Sequence, residues 1–448
     1  MRVTESMPTS ASGSRWWLPA GAGVLVALAV PGTVRFVEYA GRSIPQDTLA
    51  RDWSVGVLWA VILAGLLLLA PVGGPDRRAL VLLWIAKCGV TLGFMLLYES
   101  RYALDAYFYY RTAAEPSFPQ FHLGGTAVVE AGAWLHNRIV PDSYHAIKVT
   151  CSMLGLGAVY LFYRAAVHFR GVEDVRVLYF LGLFPSVLFW SSIFGKDPIA
   201  LLGIAAYVYG VVALHRTGRW RFVGVAAAGV LLASVIRLWL GPILLFPLVV
   251  FGLRGIRGFV PRIAFLAVTA GALGVATSLF AGQFALASAR DVLSTTGSVS
   301  QAWAEGGSGQ RISADLSSFR GMAAFAPKGA FAALFRPLPG EIMNPFGLLA
   351  GVENLFLLGL LGLAVLRFRF RTLRDPLVLW GVVVVATWAL VYGFVSYQNL
   401  GAAVRFRLQI LPLLLGVLWY LAHAPRPVRR RAPSGSGAAA PGLRPVEG

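Results

Sequence analysis

Long apolar runs separated by short polar breaks make up most of this chain. There are twelve, most of about 17–23 residues, the length an α-helix needs to cross a hydrocarbon layer of about 30 Å. They fall at 16–34, 54–73, 79–98, 145–164, 175–194, 198–214, 221–236, 238–253, 262–283, 346–366, 377–396 and 404–422. The seventh and eighth are short, share a turn at Arg237, and read alternatively as one re-entrant pair. Residues 34–53 are amphipathic, as in a segment lying along the membrane interface. The pattern predicts an all-α polytopic membrane protein with about twelve transmembrane helices and two long loops facing one side.

Composition agrees. Of 448 residues, 57% are hydrophobic and 13% charged, where a soluble domain carries about one charge in four residues. A formal charge of +19 invites a nucleic-acid partner. The excess instead sits in short loops and the tail, and no basic run interleaves with aromatics on which bases would stack. That excludes nucleic acid as the expected partner. Cys88 and Cys151 lie inside separate spans, which argues against a disulfide framework. The Ala/Gly/Arg-rich, Lys-poor composition fits a high-GC bacterium, and hence its cytoplasmic (inner) membrane.

The charges also orient the spans. Arg216/Arg219/Arg221, Arg254/Arg257/Arg262 and Arg367/Arg369/Arg371/Arg374 all follow even-numbered spans. Positive loops stay inside, so these loops and both termini are expected in the cytoplasm. Ala27-Leu28-Ala29 resembles a signal-peptide cleavage site, but the length of the run and the loop parity favour a retained anchor. The resulting organisation is membrane helices with an interfacial segment over 1–98, an outer loop over 99–144, and a central bundle over 145–283. A second outer loop or lid spans 284–344, C-terminal helices span 345–422, and a disordered cytoplasmic tail spans 423–448.

Candidate chemistry concentrates on the outward side, where long loops cost entropy that function must offset. The first loop opens Glu99-Ser-Arg101-Tyr102-Ala-Leu-Asp105-Ala-Tyr107-Phe108-Tyr109-Tyr110-Arg111. It reads as an aromatic belt with interfacial charges, or as a carboxylate placed to deprotonate a hydroxyl. Lys196-Asp197-Pro198 begins a helix, with Asp197 suited to the N-cap and Pro198 to the first turn. Lys196, Arg237, Arg405 and Arg407 stand at separate outward turns. Each reads singly as an interfacial anchor; together they can converge on one phosphate. Arg405 and Arg407 are about 200° apart on a helix, so one can face the bundle while the other faces outward. The cluster Gly306–Gly309 lacks the Lys-Ser/Thr ending of a P-loop and reads as lid. Glu353-Asn354, ionisable and polar within a span, marks function or an internal partner. His122, His136 and His145 lack metal-ligand spacing, so no metal and no cofactor is expected.

In Asp105-Ala-Xaa-Xaa-Tyr109, in Phe-Pro-Ser…Phe-Trp-Ser-Ser…Lys-Asp over 184–197, and in Asn399-Leu-Gly…Arg405-Phe-Arg407, the chain resembles the GT-C integral-membrane glycosyltransferases, near the protein-mannosyltransferase-like families. The resemblance spans roughly 80–420. It departs in having a single acid where many relatives carry two, and two extra spans before the loop. It implies an inverting transferase that moves sugar from a polyprenyl-phosphate donor to a glycan, lipid or protein acceptor among membrane lipids, in cell-envelope assembly. Asp105 would then be the base, and Lys196, Arg237, Arg405 and Arg407 the phosphate ligands. Tyr109, Arg111, Glu353 and Asn399 would orient substrate. A polysaccharide polymerase or ligase, and a transporter or flippase for a lipid-linked sugar, are the alternatives.

Overall fold

The computed structural model describes residues 31–102, 105–120, 124–256, 258–305, 309–310, 312 and 314–423. Most of the first anchor, His122, Arg257, Gly306 to Ser308, Arg311 and nearly all of the basic tail lie outside the described residues.

Seven described helices are long and apolar enough to span a bilayer. They are α2 (Leu49–Leu69), α3 (Gly74–Glu99), α6 (Tyr144–Arg170), α9 (Lys196–Thr217), α12 (Phe259–Gln283), α15 (Pro345–Arg367) and α16 (Pro376–Ser396). An eighth is the pair α17 (Leu400–Arg407) and α18 (Leu411–His423), bent by 74°. The chain is therefore a multi-pass integral membrane protein with seven to eight spans among the described residues, not about twelve.

Most of the expected first span, 16–34, lies outside the described residues; the rest of the shortfall has physical causes. The expected span 175–194 breaks into α7 (Val175–Leu183) and α8 (Pro185–Trp190), because Pro185 has no N–H for the preceding turn and starts a new helix. The expected spans 221–236 and 238–253 become α10 (Arg221–Ile236) and α11 (Leu240–Arg254). At 1.5 Å per residue they reach only about 22–24 Å, lengths that suit the re-entrant alternative.

Residues 31–40 form α1, and Val37, Ala40 and Ile44 are buried in the core. This segment therefore packs into the protein instead of only lying on its surface. Both long loops are structured as well. The first carries α4 (Asp105–Ala114) and α5 (Gly125–Ile139). The second carries α13 (Ala289–Ala304) and α14 (Phe319–Phe335), and α14 buries Phe325, Ala332 and Ala333.

Helices in lipid gain little from burying apolar surface against one another, so close backbone approach matters more. The α9–α10 contact shows this at Gly229, where an added Cβ would lie 2.4 Å from Tyr207 N and 2.6 Å from Gly203 O. Gly229→Ala is expected to cost about 1–3 kcal/mol by overpacking. Gly224→Ala on the same helix meets no atom within 4 Å and should leave stability unchanged. Thermal unfolding of the two variants in one detergent checks this, and equal midpoints would refute the packing argument.

The buried charges that tie the helices together are paired or hydrogen-bonded, as a low-dielectric interior requires. Lys87 donates to Ser191 O at 3.0 Å, Ser191 Oγ at 2.7 Å and Ser192 Oγ at 2.9 Å, tying α3 to the end of α8. Lys148 of α6 meets Glu99 at 2.9 Å, and Tyr144 also donates to Glu99 at 3.2 Å. His145 and Asp52 form a hydrogen-bonded pair between α6 and α2. Thus Glu99, which opens the first long loop in sequence, belongs to the core.

Candidate functional site

The N-terminus of α9, the turn after α10, the start of α4 and the helix α17 meet at one end of the bundle. Their order in sequence gives no hint of this, and side chains carry the junction. Asp197 is fully buried on the first turn of α9. Arg237, the extended residue that ends α10, donates Nη2 to Asp197 Oδ1 at 3.1 Å. Arg405 on α17 donates Nε to Asp197 Oδ2 at 2.5 Å. The Asp197 carboxylate is therefore clamped between two guanidinium groups. The expectation that Asp197 caps its helix is corrected: Gly195 holds the N-cap position without a side-chain hydrogen bond.

Arg405 reaches further. Its Nη1 lies 3.6 Å from Asp105 Oδ2, and the Asp105 side chain is 62% exposed while that of Arg405 is 20% exposed. Asp105 therefore stands on the open rim of a corner whose floor is Asp197. One turn along α4, Tyr109 is buried, and its ring packs edge-on to Phe194. Burial and the neighbouring Asp105 push the Tyr109 phenol up to about 12, so near neutral pH it keeps its proton and can donate it in a hydrogen bond.

Lys196 is held differently from the two arginines. Its Nζ donates to Thr126 Oγ1 of α5 at 2.7 Å and lies 5.7 Å from the centre of the Tyr109 ring. Among the described residues no carboxylate comes within ion-pair distance of it. Three cations thus face two carboxylates, and one positive charge is left over beside an exposed acid. The packing that places α5 here is tight: a Cβ on Gly125 would fall 2.1 Å from Ile236 O, just before Arg237. Arg237 also lies 4.4 Å from the centre of the Phe406 ring, a cation–π contact that holds its guanidinium in place.

An aromatic wall flanks the corner. Tyr98 of α3 lies 5.0 Å from Phe189, 6.0 Å from Trp190 and 5.0 Å from Phe346, ring centre to ring centre. The Arg405 guanidinium is 6.0 Å from the Trp190 ring. One π-turn at Val90–Phe94 interrupts α3 just before Tyr98; such turns are frequent at functional sites. Charged groups and a partly exposed aromatic surface therefore share one border.

Not every expected residue joins the site. Arg407 is fully buried and points the other way. Its Nη1 donates to Leu334 O at 2.9 Å and Arg336 O at 3.2 Å, and its Nη2 lies 3.7 Å from Glu353 Oε1. Glu353 also accepts from Ser186 N at 2.9 Å. Arg407 and Glu353 thus tie α17, α15, α8 and the end of α14 together, and neither can reach a ligand at the corner. Asn399 caps α17, accepting from Ala402 N at 2.9 Å and donating to Trp303 O at 3.1 Å. It positions the helix that carries Arg405. Arg111 is exposed, two residues beyond Tyr109 and so on the far side of α4. His136 meets Thr150 at 2.8 Å and His145 pairs with Asp52.

What the sequence reading missed is the central role of Asp197, and Thr126 altogether. One signal was available. Several arginines at short turns between apolar runs need a counterion if they are buried, and Asp197 is the acid in those turns. Comparison with protein-family models, with curated proteins and with solved structures finds no match to this chain.

Proposed function

We propose that this protein is a membrane glycosyltransferase that moves a sugar from a polyprenyl-phosphate donor to an acceptor hydroxyl at the outer face of the membrane. The observation that carries the reading is the meeting of Asp105, Lys196, Arg237 and Arg405, four residues from distant parts of the chain, at one corner with surplus positive charge.

Each group has a role that fits its surroundings. Asp105, exposed at the rim, accepts the proton of the acceptor hydroxyl. The hydroxyl oxygen bonds to the anomeric carbon as the bond from that carbon to the phosphate oxygen breaks. The electron pair leaves with the phosphate, and configuration inverts. Lys196 and the outer edge of Arg405 stabilise that growing charge, while Arg237 and Asp197 hold Arg405 in place. The aromatic wall suits an apolar donor chain approaching from the lipid. In this reading the phosphate ligands are Lys196 and Arg405, while Arg237 acts through Arg405 and Arg407 takes no part.

Binding of farnesyl phosphate to the full-length protein in lipid nanodiscs tests the phosphate site. A hydrogen bond to a charged group is worth about 1.5–3 kcal/mol, so Lys196→Met should weaken binding roughly 10–100-fold. Farnesol, which lacks the phosphate, should bind equally weakly to both proteins. Unchanged farnesyl phosphate affinity in Lys196→Met would remove the phosphate reading.

A further inference from the structure

An open cavity of about 710 Å³ lies at the turn that leads into α17. Its walls are α13, with Arg290, Ser294 and Gln301, and the segment carrying Asp315 and Ser317; Gln398 lies on its floor. That floor is built, not loose. Gln398 donates from Nε2 to Ser300 Oγ at 3.1 Å, and its backbone carbonyl accepts from Gln310 N at 2.6 Å. Immediately after it, Asn399 caps α17, and Arg405 follows about 9 Å along that helix at 1.5 Å per residue.

We propose that this cavity binds a neutral oligosaccharide and presents its end to the corner, so that the acceptor is a carbohydrate chain. The word acceptor rests on the function proposed above; the binding itself does not. Ser294, Gln301 and Gln398 offer hydroxyl and amide groups beside the apolar side chains of Leu293, Ile312 and Leu316, which suits the edges and faces of sugar rings. Arg290 and Asp315 bring one charge of each sign, so the groove favours neither a polyanion nor a polycation. The size falls in the usual range for ligand sites, about 300–1,000 Å³. The short helix α17 joins the two places: its capped start adjoins the groove, and Arg405 near its end meets Asp105, the base that an acceptor hydroxyl must reach.

The test uses the full chain in nanodiscs and saturation-transfer NMR with mannohexaose, a serine-rich hexapeptide and an alkyl glucoside as probes. Ser294→Trp fills the groove. Val292→Trp places the same bulk on the opposite face of α13, at a residue 37% exposed. Mannohexaose is expected to bind the native protein, Val292→Trp and Lys196→Met alike, and to bind Ser294→Trp at least tenfold more weakly. Equal binding to Ser294→Trp, or a signal from only the peptide or the alkyl glucoside, overturns the proposal. Because Lys196→Met removes the phosphate contact and spares the groove, loss of farnesyl phosphate binding and loss of mannohexaose binding are separable results.

Discussion

Asp105→Asn is expected to lower sugar transfer about 10²–10⁴-fold, the usual contribution of a positioned base, with farnesyl phosphate binding preserved. Asparagine keeps the shape and one oxygen of the side chain but cannot take the acceptor's proton. The loss should appear in kcat and far less in KM, because in the proposed site Asp105 would meet the donor's phosphate only through Arg405, 3.6 Å away. Arg405 is also bound to Asp197, a contact the substitution does not touch, so the corner itself should stand. Single-turnover transfer with a radiolabelled polyprenyl-phosphate sugar gives the number. A polymerase or ligase using the same donor would show the same loss. A carrier that only moves lipid-linked sugar across the membrane would not, and undiminished movement of donor in Asp105→Asn would count for that alternative.

Asp197→Asn is expected to be the most destabilising conservative change at the corner, by about 3–5 kcal/mol, the cost of removing one partner from a buried ion pair. Two guanidinium groups lose their shared counterion in one substitution, and both are held largely away from water. The cost should fall when a stranded charge is also removed. Asp197→Asn combined with Arg405→Gln is therefore expected to be less destabilised than the sum of the single variants, which is the sign of direct coupling. Thermal unfolding of the four proteins in one detergent closes the cycle. Additive midpoints would mean that Arg405 is held by something other than Asp197. Lys196→Met should unfold near the native temperature, since its ammonium is bound by a hydroxyl and a ring face and no carboxylate is stranded.

The pair Arg405 and Arg407 shows where sequence reasoning stops. Helical geometry sets the two about 200° apart, so that one can face the bundle while the other faces elsewhere, yet periodicity alone offers no choice between them. The choice depends on which helix packs against α17. Glu353 of α15 and the carbonyls that end α14 await Arg407 on one side, and Asp197 awaits Arg405 on the other. Span counting failed for a related reason. Hydropathy records apolar length, and Phe184-Pro185 is apolar enough to pass although the proline starts a new helix.

Local chemistry, by contrast, was legible in the chain itself. The apolar runs determined an all-helical protein of the membrane, because no other structure satisfies backbone groups across lipid with such segments. The turns between apolar runs could be identified as the place where titratable residues gather, and Asp105, Lys196, Arg237 and Arg405 could be singled out by residue type. Only the tertiary structure decided that these four meet, that Asp197 joins them and that Arg407 and Glu353 do not. Those contacts link residues up to 300 positions apart, from Asp105 to Arg405. Such contacts follow from helix packing through small residues such as Gly125 and Gly229, a property of pairs of helices that no single segment carries.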